Sequence, residues 1–196
     1  MKKLLMIAVA AFMVTISANA QEMFIKPMVG GTMATWTGDV EETKMKFGFV
    51  AGAEFGYKIM DPLAITAGAL VTMQGTGFKD QGDYYKDASE TTTNLNIPIM
   101  ANYEIIPGLA VKAGLQPGFL LSAKSKATVG GHEEEHSGTD GFKKFDLSIP
   151  FGLSYEISDF VIDARYNLGL TKINDSDGGS VKNSVIMLTL GYKIPF

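Results

Sequence analysis

The chain of 196 residues has no cysteine, one arginine, two histidines and one tryptophan. Without cysteine there is no disulfide framework, no thiolate metal site and no lipoprotein anchor. With both histidines in one short segment, His132 to His136, the chain offers little for a nucleophile and base held on separate elements. Long apolar runs are missing beyond the first twenty residues. No later segment therefore makes a transmembrane helix, and a membrane protein built from this chain must close as a barrel, because only helices and barrels satisfy every backbone group in lipid. A basic excess is missing too. Without Lys2 and Lys3, 15 basic residues face 21 acidic ones and the net charge is about −6. That balance argues against nucleic acid as a partner.

What is present begins with a secretory signal over 1–20. Lys2 and Lys3 form the positive start, Leu4 to Ile16 is apolar, and Ala18-Asn19-Ala20 is a small-residue cleavage site. The expected mature chain is 21–196, a single barrel domain.

Along that chain apolar and polar residues alternate with period two, which reads as strand. Eight candidate strands cover 23–36, 45–59, 63–76, 92–105, 109–122, 142–157, 160–172 and 184–196. Each reaches the ~9–11 residues that a tilted strand needs to cross a bilayer. In the last, Ile186, Leu188, Leu190, Tyr192, Ile194 and Phe196 share one face, opposite Met187, Thr189, Gly191 and Lys193. In the seventh, Ile162, Ala164, Tyr166 and Leu168 oppose Asp163, Arg165 and Asn167.

A repeat sets the polarity. Tyr57-Lys58-Ile59, Tyr103-Glu104-Ile105, Tyr155-Glu156-Ile157 and Tyr192-Lys193-Ile194 end alternate strands, and the first three lead into short turns at Asp61-Pro62, Pro107-Gly108 and Ser158-Asp159. The other connections are long and polar. Short turns at one end and long loops at the other are the asymmetry of an all-β, eight-stranded, antiparallel up-and-down transmembrane barrel, with the short turns and both termini in the periplasm. Tyr57, Tyr103, Tyr155 and Tyr192 then make a periplasmic aromatic girdle. Nine strand glycines, Gly48 to Gly191, fall on the non-lipid face by parity, where they leave volume for long polar side chains. Pro98 and Pro150 interrupt this scheme, and a local bulge or bend is expected at each.

The segments Ile97-Pro98-Ile99-Met100-Ala101-Asn102-Tyr103, Ile149-Pro150-Phe151-Gly152-Leu153-Ser154-Tyr155, Asp163-Ala164-Arg165-Tyr166-Asn167-Leu168-Gly169-Leu170 and Leu188-Thr189-Leu190-Gly191-Tyr192-Lys193 resemble the small outer-membrane β-barrel domain family of Bacteroidota, which includes PorT-type proteins. The resemblance implies the eight-stranded barrel and the outer membrane. It implies no catalytic residues, and some members of that family are linked to protein secretion. Phe196 resembles the C-terminal aromatic signal read by the barrel-assembly machinery, with Pro195 a departure from the usual alternating ending.

Candidate chemistry is sparse. His132-Glu133-Glu134-Glu135-His136 matches the H-E-x-x-H pattern, which binds zinc when a helix carries both histidines on one face. Gly130-Gly131 precedes it, Ser137-Gly138 follows it and no apolar stripe supports a helix, so it reads as a solvated acidic loop. Inside the barrel, Arg165 lies between Asp163 and Asn167, and Glu54, Glu104, Asp146 and Glu156 are its possible inward partners in a lumen charge network. Lys26, Lys58, Lys112, Lys193 and Gln116 crowd the same space, which argues against a general pore. The loop aromatics Trp36, Phe78, Tyr84, Tyr85 and Phe142 read as an outer girdle or as contacts for a partner.

The function expected is non-enzymatic: structural, adhesive or secretion-associated, with no catalytic, cofactor or metal residues. Expected partners are outer-membrane lipid and lipopolysaccharide, the assembly machinery, and a protein at the long loops. Two alternatives stand beside it. One is an enzyme on a small barrel, a lipid acyltransferase or protease. The other is a soluble lipocalin-like binder, which requires apolar residues inside and polar residues outside.

Overall fold

The computed structural model describes residues 23–40, 42–79, 85–129, 132–175 and 179–196, with the side chains of 85–87 and 129 left aside. The expected signal over 1–20 lies outside the described residues. Within them the chain is β-strand joined by turns and loops. Twelve strands are found: β1 (Met23–Gly38), β2 (Thr43–Lys44), β3 (Lys46–Met60), β4 (Leu63–Phe78), β5 (Tyr85–Asn96), β6 (Ile99–Ile106), β7 (Leu109–Val129), β8 (His132–Ser137), β9 (Phe145–Ile157), β10 (Phe160–Gly169), β11 (Val181–Tyr192) and β12 (Ile194–Pro195). The described pairings are antiparallel, in the order β11-β10-β9-β7-β5-β4-β3-β1-β12. Pairing of β1 with β11, from Met28↔Gly191 to Gly38↔Val181, closes the sheet into a barrel.

One of the four strands beyond the expected eight has a local origin. Strands β5 and β6 both pair with β4 and β7, and only Ile97-Pro98 separates them. Proline gives no N–H to the ladder. Yet Gly68 N–H donates to Pro98 O at 2.9 Å and Ile97 N–H to Pro117 O at 2.9 Å, so the pairing passes the break without a shift. The bulge expected at Pro98 is therefore absent. At Pro150 it is absent as well, since Pro150↔Asn167 sits in the unbroken β9–β10 register. Register shifts fall elsewhere, at Lys58/Met60, Glu104/Ile106, Lys86/Ser89 and Thr93/Asn94.

Boundaries also move. Strand β7 runs to Val129, beyond the expected end at 122, and turns back as β8. Strand β5 starts at Tyr85, before the expected 92. The three make a sheet, β5-β7-β8, that extends past the apolar part of the wall at the long-loop end. The segment His132 to His136, expected as a loop, is therefore an exposed strand.

Side-chain direction follows the period-two pattern. The outer wall carries Val29, Phe47, Phe49 and Leu188 at 61, 77, 73 and 58 % exposure. Inward positions are buried and mostly polar, around a small apolar tier of Met28, Val50, Leu70 and Met187. This is the reverse of the lipocalin-like alternative, which needs the apolar face inside. At the short-turn end, Glu104 N–H donates to Pro62 O, Glu156 N–H to Gly108 O and Lys193 N–H to Asp159 O, at 2.9, 2.8 and 2.7 Å. These bonds tie each turn to the neighbouring strand.

Candidate functional site: a charged lumen with two different ends

Inward parity on β1, β3, β7 and β10 brings five charges together across the lumen. Arg165 on β10 reaches Glu54 on β3 through Nη1 at 2.6 Å. Its Nε and Nη2 both donate to Asp163, at 2.6 and 2.9 Å, a bidentate fork suited to a carboxylate. Lys26 on β1 lies 2.9 Å from Glu54 and 3.6 Å from Asp163. Lys112 on β7 donates to Asp163 and lies 3.7 Å from Glu54. All five residues are buried. Removing either carboxylate would leave buried cations uncompensated.

Glycine makes the space. A Cβ on Gly68 would come within 2.7 Å of Glu54 Cγ, and one on Gly191 within 2.9 Å of Lys26 Cγ. The long side chains lean over the neighbouring strand where it has no side chain.

Of the six residues expected in this network, Arg165, Asp163 and Glu54 meet. Glu156 instead accepts from Lys193 Nζ at 2.9 and 3.0 Å. Glu104 is exposed and accepts from Gly108 N–H at 2.9 Å. Asp146 accepts from Asn183 Nδ2 at 3.4 Å nearer the long-loop end. The network partners that parity alone had treated as crowding are Lys26 and Lys112. Their inward position was legible; their reach to Glu54 and Asp163 depends on barrel closure. Tyr103, Tyr155 and Tyr192 are exposed on the outer wall at the short-turn end, and Tyr57 is half-buried there.

Beyond the charges lies a layer of uncharged hydrogen-bonding groups. Thr72 Oγ1 accepts from Gln74 and Asn96 at 2.8 and 2.7 Å, and Gln116 donates to Ser148 at 3.2 Å. The long-loop end is then closed by aromatic packing. Trp36 is buried against Phe78 and Phe142, with ring centroids 6.0 and 5.8 Å away, and Ile173 is buried nearby in sequence to the Phe142↔Asn174 bridge. This corrects the expectation of an outer girdle for Trp36: it turns inward as a cap. Tyr84 and the side chain of Tyr85 lie outside the described residues.

The β7–β8 hairpin carries Lys124–Glu135, Lys126–Glu133 and Lys126–Glu135 pairs at 3.0, 3.3 and 2.9 Å. Hydrogen bonds from Lys126 and Lys124 hold the Glu135 carboxyl below its ordinary range. Burial pushes the Glu90 carboxyl above its ordinary range, against hydrogen bonds from Ser125 to both its oxygens at 2.7 Å. His132 and His136 lie four residues apart on a strand, which spaces them roughly 13 Å along it rather than one helical turn apart. The helical zinc geometry is not formed. Among the described residues, no group of three or more histidines and carboxylates is arranged to hold a metal ion.

Comparison with known proteins agrees with this architecture. Residues 13–175 match the family described as the outer membrane protein beta-barrel domain. Ail, the attachment invasion locus protein of Yersinia pestis, is similar in fold, with 18% identity, TM-score 0.51, and 89% of this chain and 99% of that chain covered. The same protein in complex with the heparin analogue sucrose octasulfate gives 21% identity and TM-score 0.52, with the same 89% and 99% covered. Neisserial surface protein A gives 14% identity and TM-score 0.50, covering 88% of this chain and 97% of that one. At these identities the likeness is one of fold. No curated protein matches the chain. The family match spans most of the chain, and with the closed sheet, apolar outer wall and charged lumen it leads to one conclusion: the chain belongs to the outer membrane protein beta-barrel domain family and resides in the outer membrane.

Proposed function

We propose that this protein is a non-enzymatic outer-membrane barrel whose working surface is its long-loop end, in a structural, adhesive or secretion-associated role. The observation that carries the reading is the filled lumen. A five-charge cluster, a polar layer and an aromatic cap lie in series along it, which suits anchoring and not transport. The β5-β7-β8 sheet, raised beyond the apolar wall, is the surface left for a partner.

Several finer points belong to the same reading. The twelve strands act as eight membrane-crossing staves: β2 with β3, β5 with β6, and β11 with β12 lie end to end on shared neighbours, and β8 is an outgrowth of β7. The short turns face the periplasm and the hairpin faces outward. Tyr57, Tyr103, Tyr155 and Tyr192 form the periplasmic girdle. Residues 1–20 are a signal cleaved after Ala20, leaving 21–196 as the barrel domain. Phe196 serves recognition by the assembly machinery, and the narrower PorT-type affiliation rests on the strand motifs quoted above. Lipopolysaccharide contacts the outer wall. The sulfated ligand of Ail is not carried over, because the hairpin lysines Lys124 and Lys126 are already paired with Glu133 and Glu135.

The test is photo-crosslinking in cells from Thr128 and Glu134 on the hairpin, with Ser158 in a short turn as the control. A discrete protein adduct from the hairpin positions alone supports the reading. Adducts from Ser158 alone, or steady small-ion conductance by the purified barrel in planar bilayers, would overturn it.

A further inference from the structure

The buried cluster is not balanced within itself. Lys26, Lys112 and Arg165 bring three positive charges, Glu54 and Asp163 two negative ones. All five residues are more than nine-tenths buried, where excess charge is costly.

The excess has a direction. Arg165 spends its fork on the two carboxylates. Each lysine ammonium has three N–H donors, and its two carboxylate neighbours engage at most two of them. Lys26 and Lys112 also line a cavity of about 460 Å³ that lies among the short turns, and Glu54, Asp163 and Arg165 do not line it. The cavity thus meets the cluster through its two lysines and not through its carboxylates. Thr66 and Ser154 add hydroxyls to the wall. Thr66 Oγ1 accepts from Asn102 Nδ2 at 3.1 Å, which leaves its own proton to give. The nearby carboxylates have other partners: Glu156 pairs with Lys193, Asp61 with Lys58, and Glu104 accepts from Gly108 N–H.

We propose that this cavity at the short-turn end binds a small oxyanion, a phosphate or carboxylate, on the ammonium groups of Lys26 and Lys112. The anion supplies the negative charge that the cluster lacks. At roughly 30 Å³ per water, the space holds such an anion together with several waters. The proposal concerns the lumen and is independent of any partner at the long-loop end.

The test uses the full refolded barrel in a maltoside detergent, which carries no phosphate. Inorganic phosphate is titrated at constant ionic strength made up with sodium chloride, and the lysine side-chain NMR signals are followed. The expected result is a saturable shift at Lys26 and Lys112, an apparent affinity at least tenfold weaker in Lys112→Met and in Lys26→Met, and less than a threefold change in Lys58→Met. Each of the first two variants leaves two cations facing two carboxylates and is expected to fold. The wild-type unfolding midpoint in urea should also rise with phosphate, a reading that needs no variant. In phospholipid nanodiscs, shifts already present before phosphate is added would identify a lipid headgroup as the source of the same chemistry. Non-saturating shifts in both media, an unchanged wild-type midpoint, or equal affinity in Lys112→Met would overturn the proposal.

Discussion

The two ends of the lumen are closed by opposite chemistry. Toward the short turns, long charged side chains from β1, β3, β7 and β10 meet over an open cavity. Toward the long loops, Trp36 packs on Phe78 and Phe142. Both closures exclude a continuous aqueous path, but they come from different parts of the chain. The charged closure is made by strand positions, where parity dictates which residues point inward. The aromatic closure combines the ends of β1 and β4 with Phe142 from the β8–β9 connection, so it depends on how a loop folds over the mouth. Strands supply a regular inner surface, and loops finish what the strands leave open.

The charged end offers the largest effect with which to break this comparison. Glu54→Gln leaves three cations facing one carboxylate and should cost roughly 3–5 kcal/mol in urea unfolding, whereas Lys112→Met, which restores balance, should cost clearly less. Equal losses would mean that packing, not charge, holds this end. Next comes the outer wall. Leu188→Arg, 58 % exposed on the apolar face, should cost roughly 2–4 kcal/mol in bilayers if the residue lies near midplane. A neutral result there would reverse the assignment of inside and outside.

The hairpin end gives a subtler test through pH. Glu90 has its folded carboxyl raised by burial, so its contribution is present at low pH and lost as pH rises through that raised value. Glu135 is lowered by its lysine partners and does the opposite, losing its contribution as pH falls through the lowered value. Carboxyl NMR titration should find Glu90 above and Glu135 below the ordinary glutamate value of 4.5. Coincident titrations would dissolve the distinction between them. The smallest effect is expected from Lys124→Ala, which removes an exposed pair with Glu135 and should leave the urea unfolding midpoint nearly unchanged.

How much was legible in advance differs along the same lines. Alternation in 160–172 and 184–196 placed Asp163, Arg165 and Asn167 inside and Leu188 and Leu190 outside, because a side-chain period of two leaves no other choice once one face is apolar. The three short turns were legible from their proline, glycine and Ser-Asp pairs. The extension of β7 to Val129 was not, since Lys124-Ser125-Lys126 and the acidic run after Gly131 carry no apolar face to mark a strand. Hydrogen bonding and cross-strand ion pairs hold that hairpin instead.

By itself, then, the sequence determined the barrel class, the two faces of its wall and the end at which the short turns lie, because all three follow from local alternation and turn chemistry. Only the tertiary structure decided that Arg165 meets Glu54 and Asp163, joined by Lys26 and Lys112, and not Glu104, Asp146 or Glu156. It also decided that both prolines sit in register and that Trp36 turns inward. Those outcomes depend on which strand faces which across the closed barrel, a relation that closure and stagger impose and that no single strand carries.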